Sequence, residues 1–204
     1  YVGHEILDMI MQSPEKGWLK GRKYEGTVLF ADIRGFTAYS ENKPPELIVE
    51  KLNEFFEIST RIISKHGGYV DKFIGDSVLA VFGVPIAQED HVERCVKAAI
   101  EMQIAFTKKL LDGKKGNPLL DAVGIGIASG TVLAGNIGSQ AKTEYTVIGD
   151  CVNIASYLNS LAGAGEIILS GNSAEKCQNI SNLVQLLPQK VKGREELVSA
   201  YKIT

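Results

Sequence analysis

The order in which strand-like and helix-like segments alternate is the strongest constraint on what this chain can become. Thr27-Val28-Leu29-Phe30-Ala31-Asp32-Ile33 is a short apolar run that reads as a buried strand. Pro44-Pro45 then opens a helix running to about His66, since the first amides of a helix lack intrahelical partners and tolerate proline. Ile48, Leu52, Phe55, Phe56, Ile62 and Ile63 fall mostly on one of its faces, and Gly67-Gly68 ends it. Tyr69 to Phe73 and Val78 to Phe82 follow as strands around a tight turn at Gly75-Asp76. His91 to Leu111 is a second helix, and Ala122 to Ala128 a fourth strand.

Strand, helix, strand, strand, helix, strand is the ferredoxin-like split pattern. The expected class is therefore α+β, an α/β sandwich with a βαββαβ core and additional C-terminal strands. Those additions are Val132 to Asn136, paired with Ala122 to Ala128 around Gly130, then Glu166 to Ser170 after a third helix at Cys151 to Leu161. Leu183 to Leu187 and Leu197 to Ile203 close the chain as strands flanking a turn at Lys192-Gly193.

The same topology singles out two aspartates. In the usual strand order 4-1-3-2, the first strand ends at the sheet edge where the second and third are joined. Asp32 and Asp76, distant in sequence, become neighbours there. Two carboxylates at strand ends suit magnesium, which takes a few protein oxygens and completes its shell with substrate phosphates.

Bulk properties narrow the partners. A net charge of −2 over 204 residues gives no reason to expect nucleic-acid binding, so a nucleotide substrate requires local cations. Cys95, Cys151 and Cys177 lack metal-ligand spacing and read as reduced thiols of a cytoplasmic protein. No run approaches the length of a membrane helix, so no direct membrane contact is expected of this segment. The chain opens on Tyr1 rather than Met, so residues 1–25 are read as a linker from a missing upstream region and 26–204 as the folded domain. That upstream region is expected to hold a sensor or regulatory domain, whose parent protein could be membrane-attached. His4, His66 and His91 lack a ligand pattern and read as surface or capping residues.

Four strings, in this order and spacing, carry a specific resemblance: Phe30 to Thr37, Lys72 to Asp76, Glu144 to Asn153, and Val191 to Gly193. Together they resemble a class III nucleotidyl cyclase catalytic domain of the bacterial adenylyl cyclase type. The resemblance implies a homodimer with composite active sites, in which one chain supplies the metal ligands and the other reads the base. It implies two Mg²⁺ or Mn²⁺ ions per site held by Asp32, Asp76 and Ile33. The segment Ile33, Arg34, Gly35, Phe36 and Thr37 would cradle the phosphates. Lys72 matches the position facing purine N1; its ammonium only donates, which suits adenine. Thr146 matches the second base-reading position, and its hydroxyl can accept from the adenine amino group. Asn153 matches the residue that positions ribose and reacting phosphate, and Lys192 the lysine on the outer phosphates.

The implied activity is conversion of ATP to 3′,5′-cyclic AMP and pyrophosphate by attack of the ribose 3′-hydroxyl on the α-phosphate. One departure stands out. Four residues after Asn153 the family usually carries an arginine that stabilises the transition state, and here the residue is Tyr157. Arg34 is a candidate replacement cation. Three alternatives stay open: a guanylyl cyclase with an unusual base pocket, a weakly active or silent dimerisation or nucleotide-sensing module, and some other two-metal phosphotransferase.

Overall fold

The computed structural model describes residues 21–41, 43–111, 117, 119–139, 141–177, 182–191 and 194–204. The segment before residue 21, with His4, and the turn at Lys192-Gly193 lie outside the described residues. Strand β1 spans Arg22–Ile33, followed by a short helix α1 at Phe36–Ser40 and the long helix α2 at Pro45–Lys65. β2 (Tyr69–Ile74) and β3 (Ser77–Phe82) form the hairpin, and α3 covers His91–Leu111. β4 (Val123–Gly138), β5 (Thr143–Ile148), α4 (Asp150–Leu161), β6 (Ile167–Ser170), α5 (Gly171–Glu175), β7 (Leu183–Gln185) and β8 (Ala200–Ile203) complete the order.

All strands join one sheet in the order β2-β3-β1-β4-β6-β8-β7, with β5 pairing the outer half of β4. The first four strands thus lie in the expected 4-1-3-2 arrangement. β1 is central, antiparallel to β3 on one side and β4 on the other. Successive side chains of a strand point to opposite faces, and β1 uses both. Leu29, Ala31 and Ile33 enter a core with Phe55, Ile62 and Ile63 of α2 and Val92, Val96 and Met102 of α3. Val28 and Phe30 enter a second core with Cys151, Ile154, Ala155 and Leu158 of α4. The sheet is a septum between two hydrophobic layers, which is why β1 reads as a continuous apolar run rather than an alternating one.

Helix α4 lies directly on the backbone of β4. A Cβ on Gly126 would fall 2.1 Å from the Asn159 amide nitrogen and 2.4 Å from the Ala155 carbonyl oxygen, so only glycine admits this approach.

Four features depart from expectation. β4 runs unbroken through Gly130, because β1 starts at Arg22 and offers a ladder from Arg22↔Ala134 to Ile33↔Val123, with Gly26 opposite Gly130. The Glu144 region is itself a strand, β5. The short helices α1 and α5 carry too few periodic residues to be marked by pattern. His91 is buried and hydrogen-bonded to Thr27 Oγ1 at 2.7 Å, pinning the start of α3 to β1. The three cysteines are free and buried, and no helix among the described residues is long and apolar enough to cross a membrane.

Candidate active site

Asp32 lies near the end of β1, in register with Ser77 of β3 and Gly124 of β4. The Ser77 hydroxyl donates to its Oδ1 at 2.6 Å, and Arg34 Nη1 to its Oδ2 at 2.7 Å. Asp76 occupies the β2–β3 turn. Partial burial pushes its carboxyl above the usual range, and the charge of Asp32 and a hydrogen bond with it push the same way. The hairpin therefore brings the two acids together as the topology predicts. Among the described residues no group of three or more His, Cys, Asp or Glu side chains converges, so this is an open pair and not a closed cage. An all-oxygen pair of mutually repelling carboxylates fits a hard divalent cation.

Of the segment expected to cradle phosphate, the Ile33 side chain is buried in the first core, which leaves only its backbone for a ligand. The Arg34 amide donates to the Ala122 carbonyl at 2.8 Å. Its guanidinium reaches across β4: Nε donates to the Ala162 carbonyl at 2.7 Å, and Nη2 to the carbonyl of Asn159 and, at 3.0 Å, to Asn159 Oδ1. Carbonyls at a helix C-terminus carry partial negative charge and favour a cation. Arg34 is thus a clamp between Asp32 and the end of α4, with every guanidinium nitrogen engaged. Gly35 precedes α1 in the left-handed conformation, Phe36 packs on the first core and Thr37 is exposed.

The second cluster lies where β2 meets β5. β2 carries a bulge: Val70 pairs with Ala80 and Lys72 with Leu79, leaving Asp71 as the extra residue. In a regular strand neighbours point to opposite faces, whereas a bulge re-aims side chains. Here both Asp71 and Lys72 reach β5. Lys72 Nζ donates to Glu144 Oε2 at 2.9 Å, and the Thr146 hydroxyl donates to Asp71 Oδ2 at 2.7 Å. Glu144 and Thr146 share a face of β5, being two residues apart. Lys142 also pairs with Glu144 at 3.2 Å, and hydrogen bonds from the two lysines hold the Glu144 carboxyl below its usual range.

Asp71 differs from its neighbours. Its side chain is 0% exposed, and Oδ1 has no hydrogen-bond partner among the described residues. Burial pushes its carboxyl up, against the Thr146 hydrogen bond and the Lys72 charge 3.9 Å away. The buried Tyr69 hydroxyl likewise lacks a partner, and Tyr145 beside it is pushed up to about 12, chiefly by burial. Asp71 and Glu144 escaped the sequence reading. The available signal was a lone carboxylate within the strand run of β2, and a bulge leaves no composition mark.

Asn153 lies exposed on α4, and Tyr157, one turn further, is half-buried against the second core. Asp150 opens α4 and pairs with Arg194. Lys192 itself is outside the described residues; of the residues flanking its turn, Val191 is buried in the second core and Arg194 is tied to the start of α4.

The chain belongs to the family of adenylate and guanylate cyclase catalytic domains, whose pattern matches residues 20–204. It is 35% identical over 187 residues to an adenylate cyclase of Anabaena cylindrica, covering 87% of this chain and 36% of that protein. It superposes on the guanylyl cyclase Cya2 with a TM-score of 0.80 at 34% identity, covering 90% of this chain and 93% of that one. The adenylyl cyclase CyaB from P. aeruginosa gives 0.79 at 31% identity, covering 91% and 96%. The fold is thus the class III cyclase α+β fold, with relatives of both nucleotide preferences. The chain spans about a third of the length of the curated relatives it matches.

Proposed function

We propose that this chain is an adenylyl cyclase domain that converts ATP to 3′,5′-cyclic AMP and pyrophosphate, in composite sites shared by two copies. The observation that carries this reading is the side-by-side placement of Lys72 and Thr146 at the β2–β5 junction, a donor and a hydroxyl matching N1 and the 6-amino group of adenine. A second copy accounts for the exposed apolar residues flanking that junction: Phe73 and Ile74 at the end of β2, and Leu133 opposite Ile148 across β4–β5.

Asp32, Asp76 and the Ile33 backbone would hold Mg²⁺ or Mn²⁺, which when bound neutralises triphosphate charge and favours ionisation of the 3′-hydroxyl. Ser77 and Arg34 hold the Asp32 carboxylate in place. Asn153 of the partner subunit's α4 orients the ribose so that its 3′ oxygen bonds to the α-phosphorus as the bond to pyrophosphate breaks. Lys192 takes the outer phosphates.

The test is turnover of ATP by the purified chain with Mn²⁺, against an Asp32→Ala control. Cyclic AMP well above the control is expected, and its absence refutes the proposal. ATP and GTP in competition separate this reading from a guanylyl cyclase, for which a clear GTP preference would decide. Tyr157 favours a second reading, a slow or silent nucleotide-binding module. Arg34, the candidate replacement cation, is locked onto α4. Nucleotide binding without turnover, together with a gain of up to about 10³-fold in Tyr157→Arg, would support it.

A further inference from the structure

Resting on the adenylyl cyclase reading above, we propose that Asp71 is a positioning residue that sets the polarity of the Thr146 hydroxyl, and thereby the preference for a 6-amino over a 6-oxo purine. A threonine hydroxyl rotates and offers both a donor and an acceptor. Left free, it can accept from the amino group of adenine or donate to the carbonyl of guanine, and it discriminates neither. In this structure its single proton is directed at Asp71 Oδ2, 2.7 Å away. An ionised carboxylate only accepts, so the bond has one direction and the hydroxyl has only lone pairs left for a ligand. An adenine amino group satisfies them. A guanine carbonyl would set acceptor against acceptor, and a site that leaves a buried polar group unpaired rejects its ligand strongly.

Three further observations carry the assignment. The Asp71 side chain is fully buried, so water does not compete for the Thr146 proton. The β2 bulge is centred on Asp71 and turns it toward β5 alongside Lys72, so the two base-reading groups share one irregularity of backbone. Burial raises the Asp71 carboxyl, and the Lys72 ammonium, 3.9 Å from the same Oδ2, works against that rise. Asp71 is also a poor choice for stability alone. Oδ1 is buried without a partner among the described residues, a desolvation cost that an apolar side chain would not carry. A residue that burdens the fold in this way belongs with function. Lys72 donates where adenine N1 accepts, so the two positions agree in polarity: donor to N1, acceptor to the 6-amino group.

The experiment measures kcat/KM for ATP and GTP, together with competition binding of non-cyclisable ATP and GTP analogues, in Asp71→Leu, Asp71→Asn, Thr146→Val and the double variants. Asp71→Leu removes the acceptor while keeping the branched four-atom skeleton. Asp71→Asn preserves packing and replaces the carboxylate with a group that can present either a donor or an acceptor. Expected is a fall of about tenfold or more in the ATP-to-GTP ratio for Asp71→Leu and a smaller fall for Asp71→Asn. Neither should change the ratio further once Thr146 is valine. A purely structural role would lower both nucleotides together. The proposal is overturned if the ratio is unchanged in Asp71→Leu while wild type discriminates, or if the loss persists in the Thr146→Val background. Wild-type protein that prefers GTP, or binds neither analogue, refutes the adenylyl cyclase reading itself and is distinguishable from failure of Asp71.

Discussion

The two ends of the site are built by opposite means. The carboxylate end rests on regular structure: Asp32 is satisfied by Arg34, two residues on, and by Ser77, directly opposite in the β1–β3 register. The edge proposed to read the base rests on an irregularity, a bulge that turns Asp71 and Lys72 together toward partners 75 and 72 residues away on β5. Both Asp32 oxygens are engaged, whereas Asp71 keeps one buried oxygen without a partner among the described residues. Holding a metal ligand needs a firm carboxylate with charge to spare for a cation. Reading a base needs groups whose hydrogen-bond direction is set in advance, and a fully buried acceptor does this at some expense in stability.

If the ends are separate devices, substitutions should separate them. The largest effect is expected from Asp76→Asn, which removes half of the acidic pair. Turnover should fall by at least about 10²–10³-fold, with the ATP-to-GTP binding ratio unchanged. A changed ratio would merge the two regions. Next comes Arg34→Met, which removes the guanidinium donor from the carbonyls of Ala162 and Asn159, the latter keeping the Ala162 amide, and leaves Asp32 without its counter-ion. A loss of about 2–3 kcal/mol in unfolding free energy is expected by denaturant titration. Because Arg34 links Asp32 to the helix bearing Asn153, turnover should also fall while base preference holds.

The third prediction concerns Asp71 and pH. Its carboxyl is raised in the folded state, so the folded protein binds the proton more tightly than the unfolded chain. Its contribution to stability is fully present below the ordinary carboxylate value and is lost as pH rises through the raised one. Thermal melting across that window should show wild type losing ground to Asp71→Asn as pH increases. Parallel curves would mean that burial of the charge is harmless and would weaken the contrast with Asp32. The smallest effect is expected from Glu144→Gln, which releases Lys72 from an exposed ion pair. Such pairs are weak and screened by solvent, so nucleotide affinity should rise only a few-fold and the gain should fade with salt.

Much of this was legible in residue order. The apolar runs of β1 and β3, the one-faced pattern of α2, the bounds of α3 at His91 and Leu111, and the Gly75-Asp76 turn all follow from local periodicity and turn chemistry. The meeting of Asp32 with Asp76 follows from strand order, which short connections and the split pattern constrain. The continuity of β4 through Gly130 was hidden, because glycine signals a turn until a long partner strand supplies the ladder. Arg34 read as a free cation, and only the packing of α4 on β4 shows it clamped.

Local sequence determined which segments are strands and helices, and which chemical groups the chain carries: two carboxylates, a lysine, a threonine, and a tyrosine in the place of an arginine. Tertiary structure alone decided the state in which those groups stand. A bulge is a mismatch between two strands and belongs to neither sequence separately. The direction of a hydroxyl's proton, in turn, depends on a buried acceptor contributed from far along the chain. Periodicity reports what a residue does to its own neighbours, whereas hydrogen-bond polarity is settled by whichever group packing places against it.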